Sequence, residues 1–266
     1  MNIQKLEPAD INYISGLLPF GWEDVIPVIY SYTLTNYCFP IKVIIDKKIA
    51  GIGTAIVHNE TAWLAHIIVH SDKRNQGIGK KITQSLIETS NSKGCETIYL
   101  LATELGESVY KKVGFEIETE YLIYRCERID GTIKNSGNIA PISYDYKKHI
   151  LNLDRQVTGE DRVLLLEEHL SNGFIYLQDK EVKGFYLPNL GDGLIIANTS
   201  SAGQDLMKLR LKSKDFAAFP ADNLNAAELM RQNNFNEFRT EKRMRYGKKR
   251  YWQPEKIYSI IGGNLG

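Results

Sequence analysis

The feature that most constrains the fold is a strand, a glycine-containing turn and a helix that follow one another between Trp63 and Ser92. Apolar residues run from Trp63 to Val69, which predicts a buried strand. A polar turn containing Gly77 and Gly79 follows, and a helical pattern then runs to about Ser92. Strands that alternate with helices in this way predict an α/β fold.

The turn from Arg74 to Lys80 has the properties of an anion-binding site. The first N–H groups of a helix have no partner within the helix, and they lie at the positive end of its dipole. Glycine at positions 77 and 79 removes the side chains that would hold a ligand away from the backbone. We therefore expect the backbone amides of this turn to bind a phosphate or pyrophosphate group.

Length and composition limit the classes of protein to consider. The chain has 266 residues, which fits one large domain or two smaller ones, and 43% of its residues are hydrophobic. Its formal net charge of +1 lacks the basic excess of nucleic-acid or membrane-surface proteins, so we expect neither partner. No apolar run approaches the roughly 20 residues of a membrane span, and the N-terminal residues lack a signal-peptide core. Cys38, Cys95 and Cys126 form no paired motif, which predicts no metal site and a reduced, cytoplasmic protein.

Two short sequence motifs occur twice in the same order. The residues DKKIAG at 46–51 recur as DKEVKG at 179–184, each between β-prone runs, which predicts two hairpins. The residues VYKKVGF at 109–115 have a counterpart, LMRQNNF, at 229–235. In each copy, Gly114 or Asn234 stands where a helix is expected to end in a left-handed residue. Two matches in the same order predict a duplicated fold.

The two copies differ where the first carries its glycine turn. In the second copy the corresponding region, 198–205, contains one glycine and no basic residue. We predict that the second unit kept the fold and lost its cofactor site. The residues between the copies are rich in glycine, asparagine and proline, so we predict domains at 1–128 and 142–266 joined by a linker at 129–141.

Other local patterns predict further elements. Two short helices are expected at 8–18 and 23–33, and two paired strands between Phe115 and Cys126. The sequence Thr-Gly-Glu-Asp from Thr158 resembles a capping box, which predicts that a helix begins there. The charged residues at 154, 155, 161 and 162 are expected to form surface ion pairs.

The order of these elements resembles the GNAT superfamily of acyl-CoA N-acyltransferases. The resemblance rests on Arg74, Gly77 and Gly79 as an R-x-x-G-x-G motif behind a strand, and on the later motif from Tyr110 to Phe115. Ser71 stands where many members have proline. The close match covers about residues 3–126, and the remainder resembles a shorter GNAT-like half of a tandem member. The resemblance implies two units in tandem, each a mixed, largely antiparallel sheet flanked by helices.

The resemblance also implies acetyl-CoA as the co-substrate. The main chain before the turn would follow its pantetheine arm, with a backbone N–H near Val69 facing the thioester oxygen. The amides of the turn would hold its pyrophosphate. The implied cofactor-binding residues are Ile67, Ile68, Val69, Arg74, Asn75, Gln76, Gly77, Ile78, Gly79 and Lys80.

Tyr110 matches the tyrosine that protonates the departing coenzyme A thiolate in this family. The reference pKa values of a phenol and a thiol differ by about 1.5, so such a transfer is feasible. The alternative is that Tyr110 only packs beside Phe115. Its counterpart in the second copy, Met230, has no proton to donate.

His66 is the second catalytic candidate, because it lies three residues before Val69 and an imidazole accepts protons near neutral pH. Arylalkylamine-type members of the family carry a histidine at the equivalent place in their base relay. Strand alternation predicts that Leu64, His66, Ile68 and His70 share one face. The alternative is a histidine that is hydrogen-bonded within a half-buried strand.

We therefore expect an N-acetyltransferase that moves an acetyl group to the primary amine of a small molecule. Direct transfer in a ternary complex is expected, since neither motif contains a cysteine. Trp22, Tyr30 and Tyr32 lie in the segment that usually forms the wall of the acceptor pocket. A protein N-terminus or lysine as acceptor is one alternative, and a non-catalytic acyl-CoA-binding regulatory module is another. The expected oligomeric state is a monomer or a homodimer.

Overall fold

The structure, a computed structural model, describes residues 1–19, 25–125 and 137–266. These residues form two compact units whose segments alternate along the chain. The first unit consists mainly of residues 1–116 and 244–248, and the second of residues 117–243 and 249–264. Most of the predicted linker lies outside the described residues, so the boundaries 1–128, 129–141 and 142–266 stay a prediction.

The first unit is a mixed sheet with helices, as its sequence pattern predicts. Its elements are β1 (Asn2–Lys5), α1 (Ile26–Tyr32), β2 (Cys38–Ile45), β3 (Lys48–His58), β4 (Thr61–Val69), α2 (Ile78–Ser92), β5 (Thr97–Ala102) and α3 (Glu104–Lys112). Strands β1 to β5 are neighbours in chain order, and each pairing is antiparallel except that of β4 with β5, which is parallel.

Helix α2 lies close against the middle of β3 because β3 contains glycine there. A Cβ atom on Gly53 would lie 2.7 Å from Cγ2 of Ile82 in α2, closer than packed carbon atoms approach. Ile82 and Leu86 are fully buried at this contact. The opposite face of the sheet has its own apolar cluster, which includes Ile52 of β3 and Ile68 of β4. The sheet is therefore buried on both faces, which fixes the position of β4 and of the start of α2.

The second unit contains most of the remaining elements. The elements that follow α3 are β6 (Glu116–Arg125), β7 (Ile139–Pro141), α4 (Lys147–Thr158), α5 (Val163–Glu167), β8 (Phe174–Gln178), β9 (Glu181–Leu187), β10 (Leu194–Ala197), α6 (Ser200–Leu211), β11 (Phe216–Pro220), α7 (Leu224–Gln232), β12 (Asn236–Gly247) and β13 (Ile257–Ser259). The five-stranded sheet of the second unit has the order β13-β10-β9-β8-β7, and elsewhere in the unit β6 pairs antiparallel with β11.

The two predicted hairpins have the same backbone conformation. Asp46 and Lys47 have φ values of 51° and 63°, and Asp179 and Lys180 have φ values of 53° and 64°. Two consecutive residues with positive φ are typical of a type I′ turn, which matches the twist of the strands that it joins. In each hairpin the strand register shifts three residues before the turn. The repeated sequence therefore encodes a repeated structure.

Helices α3 and α7 also end alike. Gly114 and Asn234 have φ values of 100° and 55°, as a left-handed helix end requires. The N–H of Phe115 donates to the carbonyl of Tyr110 at 3.1 Å, and the N–H of Phe235 donates to that of Met230 at 3.0 Å. The predicted fold class, a mixed α/β chain with two related units, is confirmed.

Several predicted elements differ from the structure. The region from Phe115 to Cys126 was expected to contain two paired strands, but its described part forms one strand, β6, which pairs with β11. Its apolar pattern fits one long strand as well as two short ones, and no glycine or proline interrupts it. The helix expected at 8–18 is a pair of short 3₁₀ turns, Pro8–Tyr13 and Ser15–Leu17.

The prediction that a helix begins at Thr158 is wrong. Helix α4 ends at Thr158, and Gly159 follows it in the left-handed conformation with a φ of 71°. A glycine after a helix is the usual C-terminal signal, and here it outweighs the resemblance to a capping box.

The expected surface ion pairs are confirmed only in part. Arg155 and Asp161 form a partly exposed pair at 2.7 Å. Arg162 and Asp154 also pair, but their side chains are only 2% and 1% exposed, so this second pair belongs to the interior of the unit.

Candidate functional site

The candidate site begins where β4 and β5 diverge. Parallel pairing joins Thr61–Trp63 to Thr97–Tyr99, so it involves only the first third of β4. The later residues of β4 pair with β3 on one edge. Since a strand directs its backbone N–H and C=O groups to both edges, the other edge of Leu64–Val69 presents backbone polar groups to the opening between the strands.

Val69 is oriented toward this opening. The N–H of His70 donates to the carbonyl of Ala50 on the β3 side, at 3.0 Å. Backbone groups of neighbouring strand residues point to opposite edges, so the N–H and C=O of Val69 point away from β3. In agreement, Nε of Arg74 donates to the carbonyl of Val69 at 3.4 Å. The predicted N–H donor near Val69 thus lies on the edge of β4 that points away from β3 and toward the opening beside β5. We call this edge of Leu64–Val69 the diverging edge of β4.

A β-bulge interrupts β4 at His66. Ile52 pairs with Ile68 and Thr54 with Ala65, which leaves two β4 residues opposite Gly53. His66 has a φ of 47°, a conformation that residues other than glycine rarely adopt. Strain of this kind is often found at functional positions, which makes the bulge a candidate for function.

The bulge also makes the predicted alternation of β4 wrong. Leu64 packs in the cluster on the α2 side of the sheet, whereas Ile68 packs in the cluster on the opposite side. The two residues therefore do not share a face, because the extra residue of a bulge shifts the side chains that follow it.

His66 contacts Tyr32 of α1. The hydroxyl of Tyr32 lies 3.2 Å from Nδ1 of His66, and the two ring centroids are 5.7 Å apart. Burial lowers the pKa of His66 to about 4, so the imidazole is neutral at pH 7. Sequence reasoning placed Tyr32 in the acceptor pocket wall, but an aromatic pattern carries no signal for this hydrogen bond. Tyr30 is 43% exposed, and Trp22 lies outside the described residues.

The N-terminus of α2 has the form expected of an anion site. Gly77 precedes the helix with a φ of 78°, and no side chain caps the first turn. A Cβ atom on Gly77 would meet no atom within 4 Å, so the space beside the backbone is free of protein. Arg74 and Lys80 are exposed next to this turn. A free helix N-terminus flanked by cations suits a pyrophosphate group, so these residues fit the phosphate end of a coenzyme A molecule.

Tyr110 lies on α3 and is partly buried against Phe115, with ring centroids 6.1 Å apart and an edge-to-face geometry. Gly106 makes room for it, since a Cβ atom there would lie 2.7 Å from Cε2 of Tyr110. Burial raises the pKa of Tyr110 to about 12, which keeps the phenol protonated at physiological pH. The packing role and a proton-donor role are both compatible with this environment.

The counterpart of the anion site in the second unit has a different chemistry. Helix α6 is capped by Thr199, whose Oγ1 accepts a hydrogen bond from the N–H of Ala202 at 3.3 Å. A side-chain cap of this kind satisfies an amide that a ligand would otherwise use. Met230, which stands at the position of Tyr110, is fully buried.

Within residues 1–19, 25–125 and 137–266, no cluster of three or more histidine, cysteine, aspartate or glutamate side chains could hold a metal ion. None of the helices in the same ranges is long and apolar enough to cross a membrane. Cys38 and Cys95 are free thiols, and burial raises the pKa of each to about 11.

Comparison with known proteins finds a family match within the first unit. Residues 39–117 match the family model described as "Acetyltransferase (GNAT) domain". This stretch of the first unit is therefore similar to GNAT acetyltransferase domains. This match covers β2 to α3 and therefore includes the bulge at His66, the turn at Gly77 and Tyr110.

One curated relative is the "Probable N-acetyltransferase camello" of Xenopus laevis, 31% identical over 101 residues. The match covers 35% of this chain and 46% of that protein, so it spans less than half the length of the relative.

Solved structures extend the similarity of fold beyond the matched domain. A "Putative Acetyltransferase" from Pyrococcus horikoshii superposes with a TM-score of 0.82 at 20% identity, over 100% of this chain and 95% of its own. A protein of the same description from Thermoplasma acidophilum has a TM-score of 0.57 at 14% identity, over 93% of this chain and 100% of its own. The similarity concerns the fold, and both structures share it over nearly the whole chain.

Proposed function

We propose that the first unit is an N-acetyltransferase that moves the acetyl group of acetyl-CoA to the primary amine of a small molecule. The observation that supports this proposal is that the diverging edge of β4 leads along the chain into the uncapped N-terminus of α2. An extended polar edge suits the amide groups of pantetheine, and the helix N-terminus suits the pyrophosphate.

The N–H of Val69 is the proposed donor to the thioester oxygen. Negative charge develops on this oxygen when the amine attacks the carbonyl carbon. A backbone donor that is fixed in a strand stabilises such charge without reorganisation, and loss of one such donor in enzymes costs about 100-fold or more in rate. The bulge at His66 supports this role because it fixes the backbone immediately before Val69.

Tyr110 is the proposed proton donor to the departing thiolate. Its pKa of about 12 lies well above the reference value of about 8.5 for a thiol, which opposes full proton transfer. Burial raises thiol pKa values too, however, and in this same unit it brings Cys95 to about 11. A coenzyme A thiolate that leaves into an equally buried site would therefore be nearly matched to Tyr110.

His66 is the proposed base, with a restricted role. Its pKa of about 4 lies about 6 below the reference value of an alkylammonium ion, so removing a proton from the free ammonium would cost about 9 kcal/mol. His66 would instead accept the proton as the new C–N bond forms, when the attacking nitrogen becomes much more acidic. This role requires Nδ1–H to donate to the oxygen of Tyr32, which leaves Nε2 as the acceptor.

The test is release of free coenzyme A from acetyl-CoA in the presence of single amines. The panel contains small primary amines, a peptide with a free N-terminus and a peptide whose only amine is a lysine side chain. Turnover that depends on a small amine supports the proposal, and turnover with peptides alone would support a protein acceptor. Acetyl-CoA binding without turnover of any amine would favour a regulatory module.

Replacing Tyr110 by phenylalanine separates catalysis from binding. We expect kcat to fall about 100-fold while the affinity for acetyl-CoA stays unchanged, because the hydroxyl acts only in the transition state. Tyr13→Phe is the matched control, since Tyr13 is 75% exposed in the same unit. Equal kcat values for the two variants would exclude Tyr110 as the acid.

A further inference from the structure

The second unit uses its own chain to fill the opening between two strands. We call residues Ile257–Ile261 the filling segment. Its strand, β13, pairs antiparallel with β10, with Ser259 opposite Ile195. On the other side, the N–H of Ile260 donates to the carbonyl of Ala218 in β11, at 3.1 Å. The filling segment is therefore hydrogen-bonded to both β10 and β11.

These two strands are the counterparts of β4 and β5. β10 follows the repeated hairpin and precedes helix α6, just as β4 follows the first hairpin and precedes α2. β11 precedes α7, whose end matches that of α3. The filling segment thus lies in the opening that corresponds to the diverging edge of β4.

The side chains of the filling segment are buried throughout. All five residues of Ile257–Ile261 are at most 4% exposed. Tyr258 packs directly on α6, where a Cβ atom on Gly203 would lie 2.1 Å from Cζ of its ring. Nδ2 of Asn223 donates to the carbonyl of Ile257 at 3.0 Å. The contacts thus combine backbone hydrogen bonds with a fitted aromatic side chain, as in peptide recognition by strand addition.

The opening between β10 and β11, which we call the cleft, lacks the basic residues and free helix N-terminus that an anionic ligand would need. Region 198–205 contains no basic residue, and Thr199 caps the helix that follows β10. Asp205, on the first turns of this helix, forms an ion pair with Lys208 at 3.4 Å, so that lysine is already neutralised by a neighbouring carboxylate. A neutral, extended and apolar peptide is the ligand class that fits.

We infer that the cleft between β10 and β11 is a peptide-binding cleft whose ligand is the filling segment. Once the covalent link is cut, the same cleft binds a peptide of this sequence in trans. This role is independent of the proposed acetyl transfer, which involves the first unit.

The test starts from the full chain, with a site-specific protease sequence inserted between the exposed residues Lys248 and Lys249. The folded protein is cleaved, and native mass spectrometry shows whether fragment 249–266 stays bound. After dilution has released the fragment, labelled synthetic peptides of residues 249–266 are titrated back. Circular dichroism before and after release reports whether the remainder stays folded.

Matched peptides give the test its specificity. We expect the wild-type peptide to rebind and the Tyr258→Ala peptide to bind about 100-fold more weakly or worse, because a buried aromatic side chain is lost. Methylation of the Ile260 nitrogen should also weaken binding, since it removes the hydrogen bond to Ala218. The Tyr251→Ala peptide is the control, because Tyr251 is 78% exposed.

Two outcomes would overturn the inference. The first is a remainder that stays folded after release and does not rebind the peptide. The second is a remainder that unfolds on release, which would make the filling segment a part of the folding core and not a ligand. Neither outcome depends on acetyl-CoA, so failure here is distinct from failure of the proposed function.

Discussion

Replacing Gly77 by glutamate places a carboxylate at the proposed anion site. Gly77 precedes α2 with a φ of 78° and has free space where a Cβ would be. A side chain is therefore tolerated sterically, and its cost is backbone strain of about 1 kcal/mol. Gly94 offers a matched control at the other end of the same helix, with a φ of 88° and the same free space. Gly94→Glu has the same strain and the same charge but lies far along the helix from the site.

The expected loss of affinity follows from Coulomb's law. A carboxylate about 6 Å from one phosphate charge costs about 0.7 kcal/mol at the dielectric constant of water and about 3 kcal/mol at an effective value near 20. A pyrophosphate carries more than one charge, so we expect acetyl-CoA to bind Gly77→Glu about 100-fold more weakly than wild type. Gly94→Glu should bind within about twofold of wild type.

Calorimetric titration with acetyl-CoA measures these affinities, and thermal unfolding measures stability alongside. The helix dipole favours a negative charge at the N-terminus and disfavours one at the C-terminus, so Gly94→Glu should be the less stable variant. The order of stability is then opposite to the order of affinity. Equal acetyl-CoA affinities for the two variants would refute the anion site at α2.

Three further substitutions have distinct expected effects. Buried His66 has a lowered pKa of about 4, so on acidification the unfolded chain binds this proton before the folded one does, and wild type loses stability. His66→Gln lacks this proton site, so between pH 6.5 and pH 5 its free energy of unfolding should fall about 2 kcal/mol less than that of wild type. Equal pH dependence of the two proteins would contradict burial of His66. Asp154→Asn should lose about 3–5 kcal/mol in urea unfolding, because it removes the carboxylate that pairs with buried Arg162. Asp161→Asn, at the partly exposed pair, should lose under about 1 kcal/mol. Similar losses would contradict the difference in burial. Thr199→Ala removes the side-chain cap of α6 and should lower stability by about 1 kcal/mol. It should not create a second acetyl-CoA site, because the filling segment still occupies the neighbouring cleft. A second site in the titration would contradict the proposed role of the filling segment.

Turns and helix ends with special backbone conformations could be predicted from the sequence. The Asp-Lys hairpins, the glycine turn before α2 and the helix end at Gly114 all require particular backbone conformations, and the residues that adopt them are recognisable. Because these signals occur in order, the mixed fold and its repetition could be predicted.

Features that depend on pairing between distant strands could not be predicted. The bulge at His66 arises from the register of β4 on β3, and β4 itself contains no glycine or proline that would mark it. The contact of His66 with Tyr32 and the pairing of β6 with β11 join residues far apart in the chain. At Thr158 two local signals conflicted, and the C-terminal signal of Gly159 prevailed.

The candidate site was predicted as a set of residues, and its chemistry follows from burial. The lowered pKa of His66 and the raised pKa of Tyr110 both come from desolvation, which sequence spacing does not reveal. The filling segment Ile257–Ile261 contains no motif, and its place between β10 and β11 is visible only in the structure.

Calorimetric titration of the wild-type chain with acetyl-CoA tests the proposed cofactor site directly. We predict one site per chain, because α2 has a free N-terminus beside the diverging edge of β4, whereas α6 is capped and its neighbouring cleft is filled. Absence of binding would contradict the proposed cofactor site and the acetyltransferase function with it. Two sites per chain would contradict the different roles assigned to the two units.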